Sequence, residues 1–173
     1  MSHGAPGAEA GGRPKPAPGL LRLRILIATY FGLGHFPFAS GTVASAATLP
    51  IAVLLSLAGP WVYVAGTAVV IVLAFWSANA AEAHFGLKDP HDVVIDEVAG
   101  QLVTLAFVPL TGIWYAAGFL AFRLFDIVKP WPAGRLERVP GGPGIVLDDL
   151  AAGVYGNLLL LAARLLWSTL GHA

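Results

Sequence analysis

The chain has 173 residues, of which 57% are hydrophobic and only 12% are charged. An ordinary soluble domain carries roughly 25% charged residues, so this composition argues against a soluble domain and indicates a membrane protein. Acidic and basic residues balance at ten each, and cysteine is absent. The totals therefore give no electrostatic attraction toward nucleic acid, and disulfides, thiolate metal sites and a cysteine nucleophile are excluded.

Residues 1–24 are predicted to be a disordered basic tail, and residues 25–171 a single membrane-embedded domain. The tail is rich in Gly, Ala and Pro. Four basic residues precede the first apolar segment, namely Arg13, Lys15, Arg22 and Arg24. Because basic residues flanking membrane segments favour the cytoplasmic side, the N-terminus is expected in the cytoplasm.

The apolar segments predict an all-α fold, a polytopic membrane bundle with about four to five apolar helices. The first segment, residues 23–34, is short and is expected at the membrane interface. Residues 43–58 and 61–83 are expected to form a helical hairpin that turns at the Gly-Pro pair between them. The second arm is long enough to cross a hydrocarbon core of about 30 Å at about 1.5 Å per residue. Residues 150–170 predict a further spanning helix.

Residues 98–122 are also apolar, but the sequence PLTG interrupts them near the middle. A single crossing would put the next basic residues outside, against the positive-inside rule, whereas a hairpin at PLTG returns them to the cytoplasm. The hairpin is therefore preferred. Its short arms must pack among other helices, because lipid cannot satisfy a broken backbone. The basic residues concerned are Arg123, Lys129, Arg135 and Arg138.

In the hairpin topology three polar stretches face the same, cytoplasmic side. They are residues 32–42, 82–97 and 123–149, and they hold every acidic residue except Glu9. Ionisable side chains near a bilayer are costly unless they are paired, hydrated or bound to metal. A shared acidic site facing the cytoplasm is the simplest explanation.

The middle polar stretch carries acids that could bind a metal ion. If it is helical, Asp89 and Asp96 lie two turns apart on one face with Asp92 between them, and Glu97 comes next in the chain. Like charges at that spacing repel, and Mg²⁺, which prefers oxygen ligands, would relieve the repulsion. Two alternatives remain: Asp89 caps a helix that begins at Pro90, or the acids are simply solvated.

Three charged residues recur every third position where the second half of the chain turns polar. On a helix, Arg123, Asp126 and Lys129 would form one stripe. In one interpretation they are an intrahelical ion-pair set whose long side chains reach the interface. In the other, Asp126 joins the metal site while Arg123 and Lys129 bind a phosphate dianion.

Two loops that contain glycine could contact a substrate. The segment GGPGIVLDD places Gly142 and Gly144 before a predicted helix, where backbone N–H groups could hold an anion. Asp148 and Asp149 could be metal ligands, or equally cap and first-turn residues favoured by the helix dipole. In the segment GLGHFPFASGT, His35 could donate a proton to a leaving group, although a lone loop histidine more often has no such role.

Four motifs in series give the chain a resemblance to a known family. They are GLGHFPFASGT, DPHDVVIDEVAG, FRLFDIVKPWP and GGPGIVLDDLAAG. In that order, over residues 30–163, they resemble the bacterial phosphatidylglycerophosphatase A family. The resemblance implies a Mg²⁺-dependent phosphatase of the inner membrane that hydrolyses phosphatidylglycerol phosphate, a lipid substrate, to phosphatidylglycerol and inorganic phosphate at the cytoplasmic face.

The resemblance also carries over site residues. The family's motifs fall on Asp89, Asp96 and Glu97, on Arg123, Asp126, Lys129 and Pro130, and on Gly141, Gly142, Gly144, Asp148 and Asp149. Asp92 is not part of the pattern, and Ser40 stands where the family usually has proline. Together with the chemistry of the residues, this predicts three overlapping sets. The catalytic set is Asp96, Glu97 and Asp126. The metal set is Asp89, Asp96, Glu97, Asp126, Asp148 and Asp149. The substrate-binding set is Arg123, Lys129, Gly142, Gly144 and His35.

Two other functions fit parts of the pattern. A transferase that joins a CDP-activated lipid to an alcohol also uses membrane carboxylates and Mg²⁺, but its DGxxAR and GxxxDxxxD motifs are absent. A transporter of Mg²⁺ or a small solute should carry ionisable groups near the bilayer midplane. Residues 43–58 and 61–80 have none, so transport is the weaker alternative.

Overall fold

The computed structural model describes residues 17–87 and 90–170. Within these ranges the chain forms seven α-helices, one short 3₁₀ turn and no strand, which confirms the all-α prediction. In chain order the helices are α1 Pro18–Ala28, α2 Ser40–Ala58, α3 Pro60–Phe85, α4 Ile95–Thr104, α5 Gly112–Val128, α6 Ala133–Leu136 and α7 Gly142–Leu170. The 3₁₀ turn, Leu33–His35, lies between α1 and α2.

Helix α1 begins inside the segment that was predicted to be a disordered tail. Residues 18–24 form its first turns, with Pro18 at a first-turn position that suits proline. The helix packs against α3, and the guanidinium carbon of Arg24 lies 4.7 Å from the centre of the Trp76 ring. The tail boundary at residue 24 was therefore wrong, because tertiary packing stabilises this stretch. Residues 1–16 lie outside the described chain.

Helices α2 and α3 form the hairpin that the sequence predicts. Gly59, with φ of 111°, separates them, and Pro60 opens α3. Of the helices in the described ranges, α2, α3 and α7 are long and apolar enough to cross a membrane. This agrees with the prediction of a membrane protein.

Helices α4 and α5 form the predicted second hairpin. Helix α4 ends at Thr104, the chain turns, and α5 begins at Gly112. Side chains of α7 satisfy the broken backbone at the turn: Asn157 Nδ2 donates to the carbonyls of Thr104 (3.0 Å) and Ala106 (2.8 Å), and Arg164 Nη1 donates to Phe107 (3.3 Å). Hydrogen bonds from α7 therefore hold the turn in place.

Helix α7 begins earlier than the sequence predicts. Residues 142–149, predicted to be a loop, form its first two turns. The side-chain oxygen of Asn79, on α3, accepts a hydrogen bond of 2.6 Å from Gly142 N–H and so caps the helix from a neighbouring element. Composition alone pointed to a flexible turn, but a cap supplied from α3 cannot be seen in the local sequence.

Candidate active site

Three carboxylates meet where the first turn of α4 packs against α7. Asp96, Glu97 and Asp149 each offer an oxygen within 4.8 Å of the oxygens of the other two. Asp96 and Asp149 are almost fully buried, at 5% and 4% exposure. The three acids come from segments some fifty residues apart in the chain, and we refer to them below as the acidic cluster.

Glycines at the α4–α7 contact bring the cluster together. A Cβ on Gly153 would lie 2.5 Å from the carbonyl oxygen of Gly100. A Cβ on Gly100 would in turn lie 2.6 Å from the carbonyl oxygen of Asp149. Any larger residue at either position would push the two helices apart, because a protein core has little free space. The spacing of the carboxylates therefore depends on glycine at this contact.

Asp126 and Arg123, on α5, border the cluster. The side chain of Asp126 lies beside those of Glu97 and Asp149, and its Oδ2 lies 2.6 Å from Arg123 Nη1. A Cβ on Gly41, in the first turn of α2, would collide with Glu97 Oε1 and lie 3.2 Å from the same Arg123 nitrogen. Helices α2, α4 and α5 thus converge on Glu97 and Arg123.

A cavity of about 440 Å³ opens beside these residues. Its lining includes Phe36, Ser40, Gly41, His91, Glu97 and Arg123. The α2 helix begins here without a side-chain cap, so its first backbone N–H groups have no partner within the helix. Such N–H groups and the helix dipole favour an anion, and the arginine on the cavity wall adds a fixed positive charge.

Lys129 is bound to acidic side chains instead of facing this cavity. It ends α5 in a left-handed conformation, with φ of 45°. Its Nζ lies 2.7 Å from Asp148 Oδ2 and 3.2 Å from Glu137 Oε1. Partial burial lowers the pKa of Lys129, but the hydrogen bonds and charges of Asp148 and Glu137 outweigh it and raise the pKa above its ordinary value. Lys129 is therefore firmly cationic.

The predicted metal set is thus divided by the structure. Asp96, Glu97 and Asp149 cluster, Asp126 contacts the cluster through Asp149, and Asp148 is engaged by Lys129. Asp89 lies outside the described residues. Helix α4 begins only at Ile95, so Asp92 does not share a helical face with Asp96, and Pro90 is not a first helical residue. Those two local predictions were wrong.

His35 takes part in a contact between two loops. Its Nδ1 lies 2.7 Å from Asp92 Oδ1, and Ser40 Oγ donates a 2.8 Å hydrogen bond to the carbonyl of His91. The two contacts join the loop before α2 to the turn before α4, both of which border the cavity. His35 itself is not in the cavity wall, so the structure gives it a loop-holding contact and leaves its predicted substrate role as a prediction.

The structure gives Gly142 and Gly144 a packing role. Gly142 N–H is donated to Asn79, and Gly144 N–H to the carbonyl of Gly141 at 2.9 Å. A Cβ on Gly142 would lie 2.5 Å from the backbone nitrogen of Asn79, and one on Gly144 would collide with the carbonyl of Val139. Since both N–H groups are used inside the protein, the prediction that they bind substrate is not supported.

The site includes the first turn of α2, where the sequence predicts only a polar, glycine-bearing loop at residues 32–42. Ser40 and Gly41 line the cavity, but they were considered only as part of a glycine-bearing loop. A serine just before a long apolar run is a common sign of a helix N-terminus. That sign could have placed an anion-binding helix end here.

The fold and the site together define a class of protein. Buried and half-buried carboxylates from three helices lie next to an arginine and an open helix N-terminus, at one end of a bundle whose long helices can cross a membrane. Clustered acids suit a cation, and the neighbouring arginine and N–H groups suit a phosphate. The class is an integral-membrane enzyme that acts on phosphate esters.

Similarity to known proteins gives the particular family. The family model described as phosphatidylglycerophosphatase A matches residues 26–164, so the chain belongs to the phosphatidylglycerophosphatase A family and is a phosphatase. Membership of this family favours a phosphatase over the transferase and transporter alternatives. No solved structure matches the chain.

Three relatives show how the family is named elsewhere. A Haemophilus influenzae protein named phosphatidylglycerophosphatase A is 36% identical to the chain, over 80% of this chain and 87% of the relative. An Escherichia coli protein of the same name is also 36% identical, over 78% of this chain and 80% of the relative. A protein of Bacteroides thetaiotaomicron named putative phosphatidylinositol-3-phosphatase is 39% identical over 82% of this chain and 94% of its own length. The names differ in the lipid headgroup, but all three denote a phosphatase.

Proposed function

We propose that the protein hydrolyses phosphatidylglycerol phosphate to phosphatidylglycerol and inorganic phosphate, with Mg²⁺, at the cytoplasmic face of a bacterial inner membrane. The observation that carries the proposal is the position of Glu97, which belongs both to the acidic cluster and to the wall of the arginine-lined cavity. A phosphate in the cavity would lie against the carboxylates. Two of the three relatives described above are named for the same lipid phosphate.

The chemistry of the cluster fits Mg²⁺. This ion takes oxygen ligands, usually a few carboxylates together with substrate phosphate and water. Asp96, Glu97 and Asp149 would hold it, and Asp126 lies beside Asp149 at the edge of the cluster. When bound, the ion would act as a Lewis acid that neutralises charge on the phosphate.

The remaining steps are assigned to the protein's own residues. Arg123 offers a guanidinium that matches two phosphate oxygens, and the N-terminal N–H groups of α2 face the same cavity. Hydrolysis joins a water oxygen to phosphorus and breaks the bond from phosphorus to the glycerol oxygen. Glu97 would accept the proton that the water loses and return it to the departing glycerol oxygen. Asp126 orients Arg123 through their 2.6 Å ion pair.

Aromatic residues near the site support access from the bilayer. Phe31, Phe36, Phe38 and Trp131 are each at least half exposed. Phe36 also lines the cavity, and Trp131 follows the end of α5. Aromatic side chains concentrate where the membrane meets water, so a lipid whose chains stay in the bilayer could present its phosphate here.

The cytoplasmic orientation rests on the positive-inside rule and can be tested because the chain has no cysteine. We expect a single cysteine replacing Arg135, near the site, to react with a membrane-impermeant thiol reagent only in inside-out vesicles. One replacing Thr111, at the turn before α5, should react only in right-side-out vesicles. The reverse pattern would contradict the orientation.

A phosphate-release assay tests the function. The protein, purified in detergent, should release phosphate from phosphatidylglycerol phosphate with Mg²⁺ and stop when EDTA removes the ion. Parallel assays with phosphatidylinositol 3-phosphate and phosphatidic acid measure headgroup selectivity, and Asp96→Asn provides an inactive control. Absence of metal-dependent release by a folded sample would contradict the proposal. Faster release from phosphatidylinositol 3-phosphate would assign the enzyme to that headgroup instead.

A further inference from the structure

Gln101 is a fully buried polar side chain in the short helix α4. Its exposure is 0%, and neither its amide nitrogen nor its amide oxygen has a hydrogen-bond partner among residues 17–87 and 90–170. Buried amides in folded proteins are nearly always hydrogen-bonded, since leaving one unpaired is costly. A fold that keeps this group without a structural partner calls for a functional explanation.

Gln101 lies one helical turn after Glu97 on α4. The two residues are four apart on α4 and so lie on one face, one turn from each other. Side chains on a helix lean toward its N-terminus, which directs the Gln101 amide over the turn that carries Glu97. In the described part of the chain, Glu97 Oε2 is likewise a buried atom with no hydrogen-bond partner. A buried donor and a buried acceptor thus lie one helical turn apart.

We propose that Gln101 is a positioning residue for Glu97. Its amide NH₂ donates a hydrogen bond to Glu97 Oε2, directly or through one water molecule, when the acidic cluster holds its cation. That bond fixes the rotation of the carboxylate, so that the other oxygen, Oε1, stays beside Gly41 and near Arg123, where the structure places it. The inference rests on the proposed function, because it assumes that the cluster binds a divalent cation.

The physical reason is that a carboxylate ligand must be held in one orientation to bind a small cation well. Groups that hydrogen-bond to metal ligands fix that orientation, and their loss typically lowers metal affinity or activity by roughly 10- to 100-fold. The neighbours of Gln101 in sequence cannot supply the bond: Gly100 has no side chain, and Leu102 is apolar. Gln101 is the polar side chain of α4 one helical turn after Glu97.

Gln101→Met tests the proposal. Methionine is unbranched and close to glutamine in size, but it cannot donate a hydrogen bond to a carboxylate. We expect the variant without metal to melt at the same temperature as the wild type or higher, because a buried amide has been removed. We expect the Mg²⁺ concentration that gives half of the metal-induced rise in melting temperature to increase by about 10-fold or more. The KM for the lipid at saturating Mg²⁺ should stay unchanged.

Thr104→Val is the matched control on the same helix. The Thr104 hydroxyl is also buried, but it donates to the carbonyls of Gly100 (3.0 Å) and Gly153 (3.2 Å). Its loss should lower the melting temperature without metal and leave the half-saturating Mg²⁺ concentration unchanged. The two variants therefore separate a structural polar group from a positioning one.

Two results would overturn the inference. One is a Gln101→Met protein with wild-type dependence on Mg²⁺. The other is failure of both Gln101→Met and Gln101→Leu to fold, which would show that the amide serves the structure. Melting does not depend on the substrate, so these results are distinct from failure of the wild type to release phosphate, which would count against the proposed function alone.

Discussion

Helices α3 and α4 pack against each other but use the membrane environment in opposite ways. Helix α3 has 26 residues, and only seven of them are buried; its outward side chains, such as Val69 and Val72, are exposed and apolar. Helix α4 has ten residues, and eight of them are buried. At about 1.5 Å per residue it cannot cross a membrane, yet it carries Asp96, Glu97 and Gln101.

The difference shows how a membrane protein can hold acidic groups. The long helices α2, α3 and α7 surround α4 and contact it directly. Polar side chains that would be costly in lipid are therefore enclosed by other helices instead of facing the bilayer. The long helices provide the enclosure, and the short helix carries two of the three clustered carboxylates.

The largest expected effect comes from removing a charge on α4. Glu97→Gln keeps the size of the side chain but removes a carboxylate from the acidic cluster. Phosphatase activity should fall by about 10³-fold, because losing several kcal/mol of transition-state stabilisation costs a factor of ten per roughly 1.4 kcal/mol. Phosphate release at saturating lipid measures the loss. Activity within a few-fold of the wild type would remove Glu97 from the catalytic set.

A methyl group placed against α4 should have a smaller effect. Gly41→Ala adds a Cβ where Glu97 Oε1 and Arg123 lie, so both side chains must shift. A displacement of about 1 Å can reduce catalysis by roughly 100-fold, and we expect a loss of that order in kcat/KM. Gly112→Ala is the matched control, since no atom lies within 4 Å of its Cβ position. Equal activity of the two variants would contradict the close approach of α2 to Glu97.

Overpacking the contact between α4 and α7 should lower the stability of the protein. Gly153→Ala places a Cβ 2.5 Å from the carbonyl oxygen of Gly100, and overpacking of this kind typically costs about 1–3 kcal/mol. Thermal unfolding in detergent should show the loss. An unchanged melting temperature would mean that α4 and α7 are less closely packed than the structure shows.

The outer face of α3 should be the least sensitive region. Val72 is 65% exposed, so Val72→Ala should change the free energy of unfolding by no more than about 0.5 kcal/mol and leave phosphatase activity unaltered. Comparing the unfolding free energies of Val72→Ala and Gly153→Ala in the same detergent isolates the contribution of the enclosed helix α4. A loss as large as that of Gly153→Ala would remove the contrast between α3 and α4.

Much of the fold could be predicted from apolar length and from turn residues. The hairpin at Gly59 and the reversal near Pro109 both followed from residues that break helices, combined with the placement of basic residues. The start of α7 could not be predicted, because its cap is the side chain of Asn79, sixty-three residues earlier. Where packing between distant segments decides a helix end, local sequence gives the wrong boundary.

The site was predictable in composition but not in arrangement. Clustered acids near apolar segments, together with the family resemblance, predicted one metal-binding set of Asp89, Asp96, Glu97, Asp126, Asp148 and Asp149. Which of two adjacent acids on α7 faces the cluster depends on the phase of the helix, since neighbouring residues point about 100° apart. That phase is set by the glycine contact with α4, so Asp149 joins the cluster and Asp148 pairs with Lys129.

Mn²⁺ binding by variants of the adjacent residues Asp148 and Asp149 tests the central claim, which is that α4 and α7 together form one cation site. Mn²⁺ accepts the same carboxylate ligands as Mg²⁺, and electron paramagnetic resonance measures its free concentration directly. We predict that Asp149→Asn weakens Mn²⁺ binding by more than about 10-fold, and that Asp148→Asn weakens it far less. Equal losses, a larger loss for Asp148→Asn, or wild-type binding by Asp149→Asn would contradict the account.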